Sequence, residues 1–270
     1  MKKSLKKLLF ILLTLLSIIF IVACGEKASK KEVIEKFVEN SKNIKSMDVA
    51  MTMKMEQKNS TGPAGISMEF TGNMSIILEP NLAMKMDLAI PAVNNKLSMY
   101  IKDGYSYVQN PSDNQWIKQS NKEFEEQFKK MYAQSNLIYD FLIKNLDKID
   151  LEEKGGNYLL IIKNVKDIIK KDFSVLDPTG KGLEGYEDLV VTFTVDKKTF
   201  LPLSFEMKGA INEGPIKMNF LFDLKYSNIN NVKEIVVPKE ALEAKESLEV
   251  LEEQLKEAEK AQKDDKVDKK

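Results

Sequence analysis

Few side chains in this 270-residue chain could do chemistry: one cysteine, Cys24, 41 lysines and 41 acidic residues, with no histidine and no arginine. A thiol can serve as a nucleophile or an attachment point, a desolvated lysine as an amine nucleophile, and two carboxylates in unlike surroundings as an acid and a base. The adjacent carboxylates are Glu125-Glu126, Glu152-Glu153 and Asp264-Asp265. Neighbours in sequence do not share a helix face, and each pair sits in a strongly polar stretch, so they read as solvated charge. Without imidazole the chain lacks the usual general base near neutral pH, the commonest zinc ligand and any Ser-His-Asp or Cys-His arrangement. No EF-hand spacing, phosphate-cradling glycine loop or Ser-x-x-Lys in an enzyme context stands out. A single cysteine excludes an intrachain disulfide. The expectation is a protein with no catalytic residue, no metal site and no cofactor. Nucleic acid is also an unpromising partner, since the arginine forks that read phosphate and guanine are missing and the formal net charge is zero.

The one reactive residue stands at the end of a distinctive segment. Residues 1–24 begin with Lys2, Lys3, Lys6 and Lys7, followed by an apolar run from Leu8 to Ala23 interrupted by Thr14 and Ser17. That is the layout of a secretion signal, and the run is shorter than the roughly 20 residues of a membrane-spanning helix. The sequence Ile21-Val22-Ala23-Cys24-Gly25 resembles the lipobox of bacterial lipoproteins. The resemblance implies that residues 1–23 are a lipoprotein signal peptide. It further implies that the Cys24 thiol receives a diacylglyceryl group and that cleavage makes Cys24 the first residue, often acylated again on its amine. Two or three acyl chains anchor stably where one does not. The protein is then expected outside the cytoplasm, held on a bacterial membrane through Cys24. The choice of inner or outer membrane stays open.

Residues 24–28 form a short lipidated tether, and residues 29–238 read as one domain. Ser29-Lys30-Lys31-Glu32 has capping-box spacing, and Val33, Ile34, Phe37 and Val38 mark one face of a helix over 29–43. From Met47 the period becomes two, the pattern of half-buried strands. Strands are predicted at 47–56, 66–78 with a bulge or bend at Gly72, 82–90, 97–101, 105–109 and 115–118. Ser120-Asn121-Lys122-Glu123 again has capping-box spacing, and a helical stripe follows from Phe124 through Leu142 and Leu146 to Ile149. Strands resume at 158–163, 189–195, 200–211 and 216–226, with a last short one at 234–237. Residues 239–270 read as a charged helix fading into a disordered tail. Its Ala241, Ala244, Leu248, Leu251, Leu255 and Ala258 fit about two and a half heptads, fewer than a coiled coil needs. The fold class is α+β.

Two local sequences carry a wider likeness. Asp196-Lys197-Lys198-Thr199-Phe200-Leu201-Pro202-Leu203 looks like a polar hairpin turn feeding a strand, and Tyr226-Ser227-Asn228 through Ile235-Val236-Val237-Pro238 looks like a closing strand. With the lipobox and the order helix, meander, helix, meander, they resemble extracytoplasmic lipoproteins with a LolA/LolB/LppX-like fold, including small uncharacterised lipoprotein families of low-GC bacteria. The resemblance implies a curved antiparallel sheet of about 10–11 strands forming an open half-barrel, with helices across its concave face. It also implies transport or binding of lipoproteins or glycolipids. The arginine with which some such carriers engage lipidated cargo has no counterpart here.

Methionine placement points the same way. Of the twelve methionines after Met1, eleven fall in predicted strands, nearly all on the apolar phase. Methionine is unbranched and polarisable, and it recurs where a surface must accept more than one apolar partner. The candidate lining of a hydrophobic-ligand cavity is Met51, Met53, Met68, Phe70, Met84, Met86, Met99, Phe205, Met207, Met218 and Phe220. Two readings stay open: a cavity for an acyl chain, lipid or lipidated partner, or a fully packed core in an interaction lipoprotein whose C-terminal helix docks a partner. Oligomeric state is not legible.

Overall fold

Ser29 opens the fold. In the computed structural model, which describes residues 28–57, 67–90, 95–121, 126, 128, 139–163, 165, 185–213 and 216–246, its hydroxyl accepts from the Glu32 backbone N–H at 3.2 Å. This cap starts helix α1 (Lys30–Lys42), whose Val33, Ile34, Phe37, Val38 and Ser41 are buried. Beyond Asn43 the chain enters β1 (Ser46–Gln57) and runs through β2 (Ser67–Ile77), β3 (Ala83–Ile90), β4 (Asn95–Lys102), β5 (Tyr105–Gln109) and β6 (Trp116–Ser120). Residues 139–144 are helical and lead through a 3-10 turn (Leu146–Lys148) into β7 (Ile149–Lys154) and β8 (Asn157–Ile162). The last strands are β9 (Tyr186–Asp196), β10 (Pro202–Glu213) and β11 (Ile216–Ser227), followed by a single helical turn, α2 (Lys239–Leu242).

All eleven strands form one open antiparallel sheet in the order β6-β5-β4-β3-β2-β1-β11-β10-β9-β8-β7. Two meanders therefore meet at its centre, where β1 pairs with β11. The edges are β6 and β7, so the connection between them must pass from one side of the sheet to the other. Its described residues pack on the apolar face. Phe128 packs against Ile76, Leu82, Met84 and Ile101, while Phe141 and Leu142 join α1 over β7 to β10.

The two likeness-bearing sequences act as clamps for α1. Asp196 Oδ1 accepts from the backbone N–H groups of Lys198 and Thr199 and from the Thr199 hydroxyl, which fixes the β9–β10 turn. These bonds hold the Asp196 carboxyl below its ordinary pKa of 3.8. The Asn40 amide then donates to the Thr199 carbonyl at 2.7 Å. At the other end, Asn230 Oδ1 accepts from the Lys45 N–H, and Asn228 donates to Asp48. Asn228 and Asn230 both adopt positive φ, which asparagine tolerates better than most residues.

Five expectations are corrected. The strand read at 234–237 is not a strand: residues 232–238 lie across the opposite face of the sheet. There Ile235 and Val237 are buried with Ala83, Tyr100 and Tyr107, while Val236 is exposed. Period-two alternation reported one-sided burial, not ladder pairing. The helix read from residue 239 is one turn capped by Glu243, and Ala241 is buried in that same cluster. Glu246 then forms a parallel bridge with Lys118, covering part of the β6 edge. The helical stripe read through Ile149 ends earlier, because Ile149 begins β7, a strand masked in sequence by Asp150, Glu152 and Glu153. Ser120 ends β6 and caps no helix, and Gly72 keeps regular pairing with Met51 and Leu88. Cys24 with the signal segment, most of the 122–138 stretch and the tail beyond 246 lie outside the described residues.

Candidate functional site: a methionine-rich band

Directly opposed residues of neighbouring strands share a face. Met53 lies opposite Phe70 on β2 and Phe222 on β11. Phe222 lies opposite Met207, and Met207 opposite Val191. Val191 pairs with Ile162, which pairs with Ile149 at the β7 edge. In the other direction a neighbouring row runs Met74, Met86, Met99, Val108, Ile117. The register thus places all eleven strand methionines on one side, with the lysines and acids of the alternating positions on the other.

That apolar face is divided into three zones. Under α1, Val33, Ile34, Phe37, Leu160, Ile162, Val191 and Val195 form a tightly buried cluster. On the far flank Ile76, Leu82, Met84 and Ile101 form another. Between them Met51, Met53, Met68, Phe70, Met86 and Met218 belong to neither, and Met51, Met53, Phe70, Met86 and Met218 are half-buried. Of the other sequence-derived candidates, Met84 and Phe220 are core residues, and Met99, Phe205 and Met207 pack against a cluster as the rims of the band.

Leu88, Leu97, Phe222 and Leu224 complete the band and were not singled out in sequence. The alternation through β3, β4 and β11 is the signal that could have found them. Phe222 joins the α1 side through a chain of ring contacts: Phe222 to Phe205 at 6.4 Å, Phe205 to Phe193 at 5.2 Å and Phe193 to Phe37 at 5.6 Å.

Gly72 sits at the centre of the band. A Cβ there would come within 2.7 Å of Leu88 Cδ2 and 3.3 Å of Met51 Cε. The missing side chain leaves room for Leu88 and Met51 to pack directly over the strand. At the band's end toward the α1–β1 junction, Tyr226 lies opposite Val49. Burial pushes the Tyr226 phenol well above its usual range, with the phenol of Tyr139 and Asp223 adding to it. Tyr139 is raised by burial as well, an effect opposed by the Ser41 hydroxyl beside it.

Away from the cluster that Ile235 and Val237 form with Ala83, Tyr100 and Tyr107, the opposite face is polar. It carries a shallow groove of about 460 Å³ bordered by Lys54, Glu56, Asp188, Lys208, Asn219 and Leu221. Lys54 is already paired with Glu69 at 3.3 Å and Lys208 with Glu206 at 3.3 Å. Of the adjacent carboxylates, Glu153 pairs with Lys197 at 2.6 Å on the β7 edge, while Glu125 and Asp264-Asp265 lie outside the described residues. Among the described residues no group of three or more acidic or cysteine side chains could hold a metal ion, and no helix is long and apolar enough to cross a membrane.

Comparison with solved structures returns similarities at low sequence identity. A DUF1329 family protein from Desulfovibrio piger is 11% identical, with 76% of this chain and 93% of that one covered, at a TM-score of 0.26. A LolA superfamily protein from Nitrosomonas europaea is 13% identical over 78% of this chain and 96% of that one, at 0.25. A putative outer membrane lipoprotein-sorting protein domain from Vibrio parahaemolyticus is 12% identical over 76% and 95%, at 0.27. TM-scores this low carry no argument, and the open sheet rests on this chain's own strand order. No curated protein matches the chain. A family model does: residues 29–246, from the cap of α1 to the bridge at Glu246, match the family of unknown function DUF6612, and the chain belongs to that family.

Proposed function

We propose that the protein is a lipid-anchored extracytoplasmic lipoprotein that binds a hydrophobic ligand on the methionine-rich band and performs no catalysis. The observation that carries this reading is the half-buried apolar band between two packed clusters on a single sheet face. Along β11 the band runs from Tyr226 to Met218, and eight strand steps cover about 27 Å. A membrane lipid's acyl chain occupies half of the roughly 30 Å hydrocarbon core, so it fits within that length. Methionine suits the role because its side chain re-packs around different apolar shapes at little cost. The lipobox-like Ile21-Val22-Ala23-Cys24 supports anchoring of the chain through Cys24 beside a lipid source.

The test is direct. Purified without its signal segment, from Gly25 onward, the protein should carry copurified lipid visible by native mass spectrometry and should take up a fluorescent fatty acyl probe. A protein that emerges empty and takes up no probe has no such function.

A further inference from the structure

The band is sealed at one end and open at the other. Toward the α1–β1 junction the apolar face closes on the row Ile76, Met84 and Ile101, which are 2%, 6% and 1% exposed. At the other end Met55 stands between Met68 and Phe220, and Met218 lies opposite Ile211. There Met68 is 36% exposed, and Met55, Met218 and Ile211 are half-buried. α1 has its N-terminus at this open end. Lys30 Nζ donates to the carbonyl of Ile149, the first residue of β7, and Ala28 packs on the cluster beneath the helix. Asn40, in the last turn of α1, reaches the β9–β10 turn, at the far end of β10 from Ile211.

The chain comes to its anchor from the same end. Ala28 stands four residues beyond Cys24, and four residues span at most about 14 Å. The 13 residues of α1 then carry the chain about 20 Å away. Acyl groups on Cys24 would therefore hold the exposed end of the band near the lipid surface and keep the β9–β10 turn far from it. Charge is not what brings this end down. Lys54, next to Met55 in sequence, is paired with Glu69, and Lys217, next to Met218, is paired with Glu187.

We infer that the end of the band at Met55, Met68, Met218 and Ile211 is its port and rests on the lipid surface that holds Cys24, so that acyl chains pass from the bilayer onto the methionines without crossing water. This rests on the lipid-anchored, hydrophobic-ligand reading above and adds the surface from which the ligand comes. A chain entering here meets apolar side chains row by row, from Met68 and Met55 through Phe70, Met53 and Phe222 to Met51 and Leu88. Its terminal methyl points at the sealed Ile76 row, and its headgroup stays at the lipid surface.

The chain from Cys24 to Lys270, which retains every described residue, can be joined through its one thiol to a maleimide lipid in vesicles of brominated phosphatidylcholine. Bromine within the bilayer quenches indoles that enter it. Trp116, the one tryptophan, belongs to the cluster on the opposite face and serves as the internal reference. Emission of the parent should be unchanged by bromine, whereas Met68→Trp should lose roughly half of its total, the share of the added indole. Val236→Trp, at a 68% exposed site across the sheet, should behave as the parent. In plain phosphatidylcholine vesicles, Met68→Glu should slow uptake of parinaroyl phosphatidylcholine fivefold or more with Tm unchanged, and Val236→Glu should not. Equal quenching in Met68→Trp and Val236→Trp, or quenching in neither, overturns the port while leaving hydrophobic binding in place. A parent chain that takes up no acyl probe takes down the hydrophobic-ligand reading itself, and failure of labelled palmitate to reach Cys24 in cells takes down the anchor.

Discussion

Two zones of the same sheet face are built from different residues. Beneath α1 the buried side chains are Val33, Ile34, Leu160, Ile162, Val191 and Val195, with Phe37 among them, and methionine enters only at the margin as Met55 and Met207. A few strands away, the half-buried band is Met51, Met53, Met86 and Met218 with Phe70, Leu88 and Phe222. Branched and aromatic side chains have few rotamers and specify one packing, whereas methionine has three flexible bonds and specifies none. The contrast separates a zone that holds the fold from a zone free to accommodate something else. α1 is tied to the holding zone at both ends, by Lys30 Nζ to the Ile149 carbonyl at 2.8 Å and by Asn40 to the β9–β10 turn.

The comparison can be broken by mutation. The largest effect belongs to the holding zone: Leu160→Ala, at a fully buried position, should cost about 2–5 kcal/mol in denaturant unfolding. A loss below about 1 kcal/mol would mean that this cluster is as loosely packed as the band. A smaller effect appears in alkali at the band's end. The folded Tyr226 phenol ionises above the free value of 10.0, so its contribution is present in full below pH 10 and is lost as pH rises from there toward the folded value. Stability of the parent should therefore fall more steeply above pH 10 than that of Tyr226→Phe, by up to about 1.4 kcal/mol per pH unit. Identical slopes would place Tyr226 in water and leave the band open at that end. The smallest effect on stability is expected in the band itself. Met53→Ala should cost only about 1 kcal/mol, in keeping with half burial, while weakening acyl-probe binding severalfold. A cost of 2–5 kcal/mol with unchanged binding would make the band an ordinary core.

Much of this was legible in the residues. Ser29 and Glu32 announced the start of α1, and the alternation from Met47 onward announced strands with an apolar side, because helix caps and strand periods are local properties. What failed was also local in cause. Ile149–Lys154 has two inward apolar residues among four charges, too weak a pattern to separate a short edge strand from a helix end. Glu234–Val237 has a strong pattern, but alternation registers which side is buried and not what the backbone pairs with. The candidate lining was chosen by residue type, so it mixed core residues such as Met84 and Phe220 with band residues such as Met53.

By itself the sequence determined the inventory and the sidedness: no imidazole, one cysteine in a lipobox-like setting, and methionines in phase along most strands. Those are facts about composition and period, and they need no knowledge of which strands are neighbours. Only the tertiary structure decided that β1 and β11 meet at the centre, so that Met53 stands between Phe70 and Phe222. The physical reason is that the β1–β11 contacts join residues roughly 160 to 180 positions apart, and their stability comes from burial shared across the whole sheet, which no local window of sequence contains.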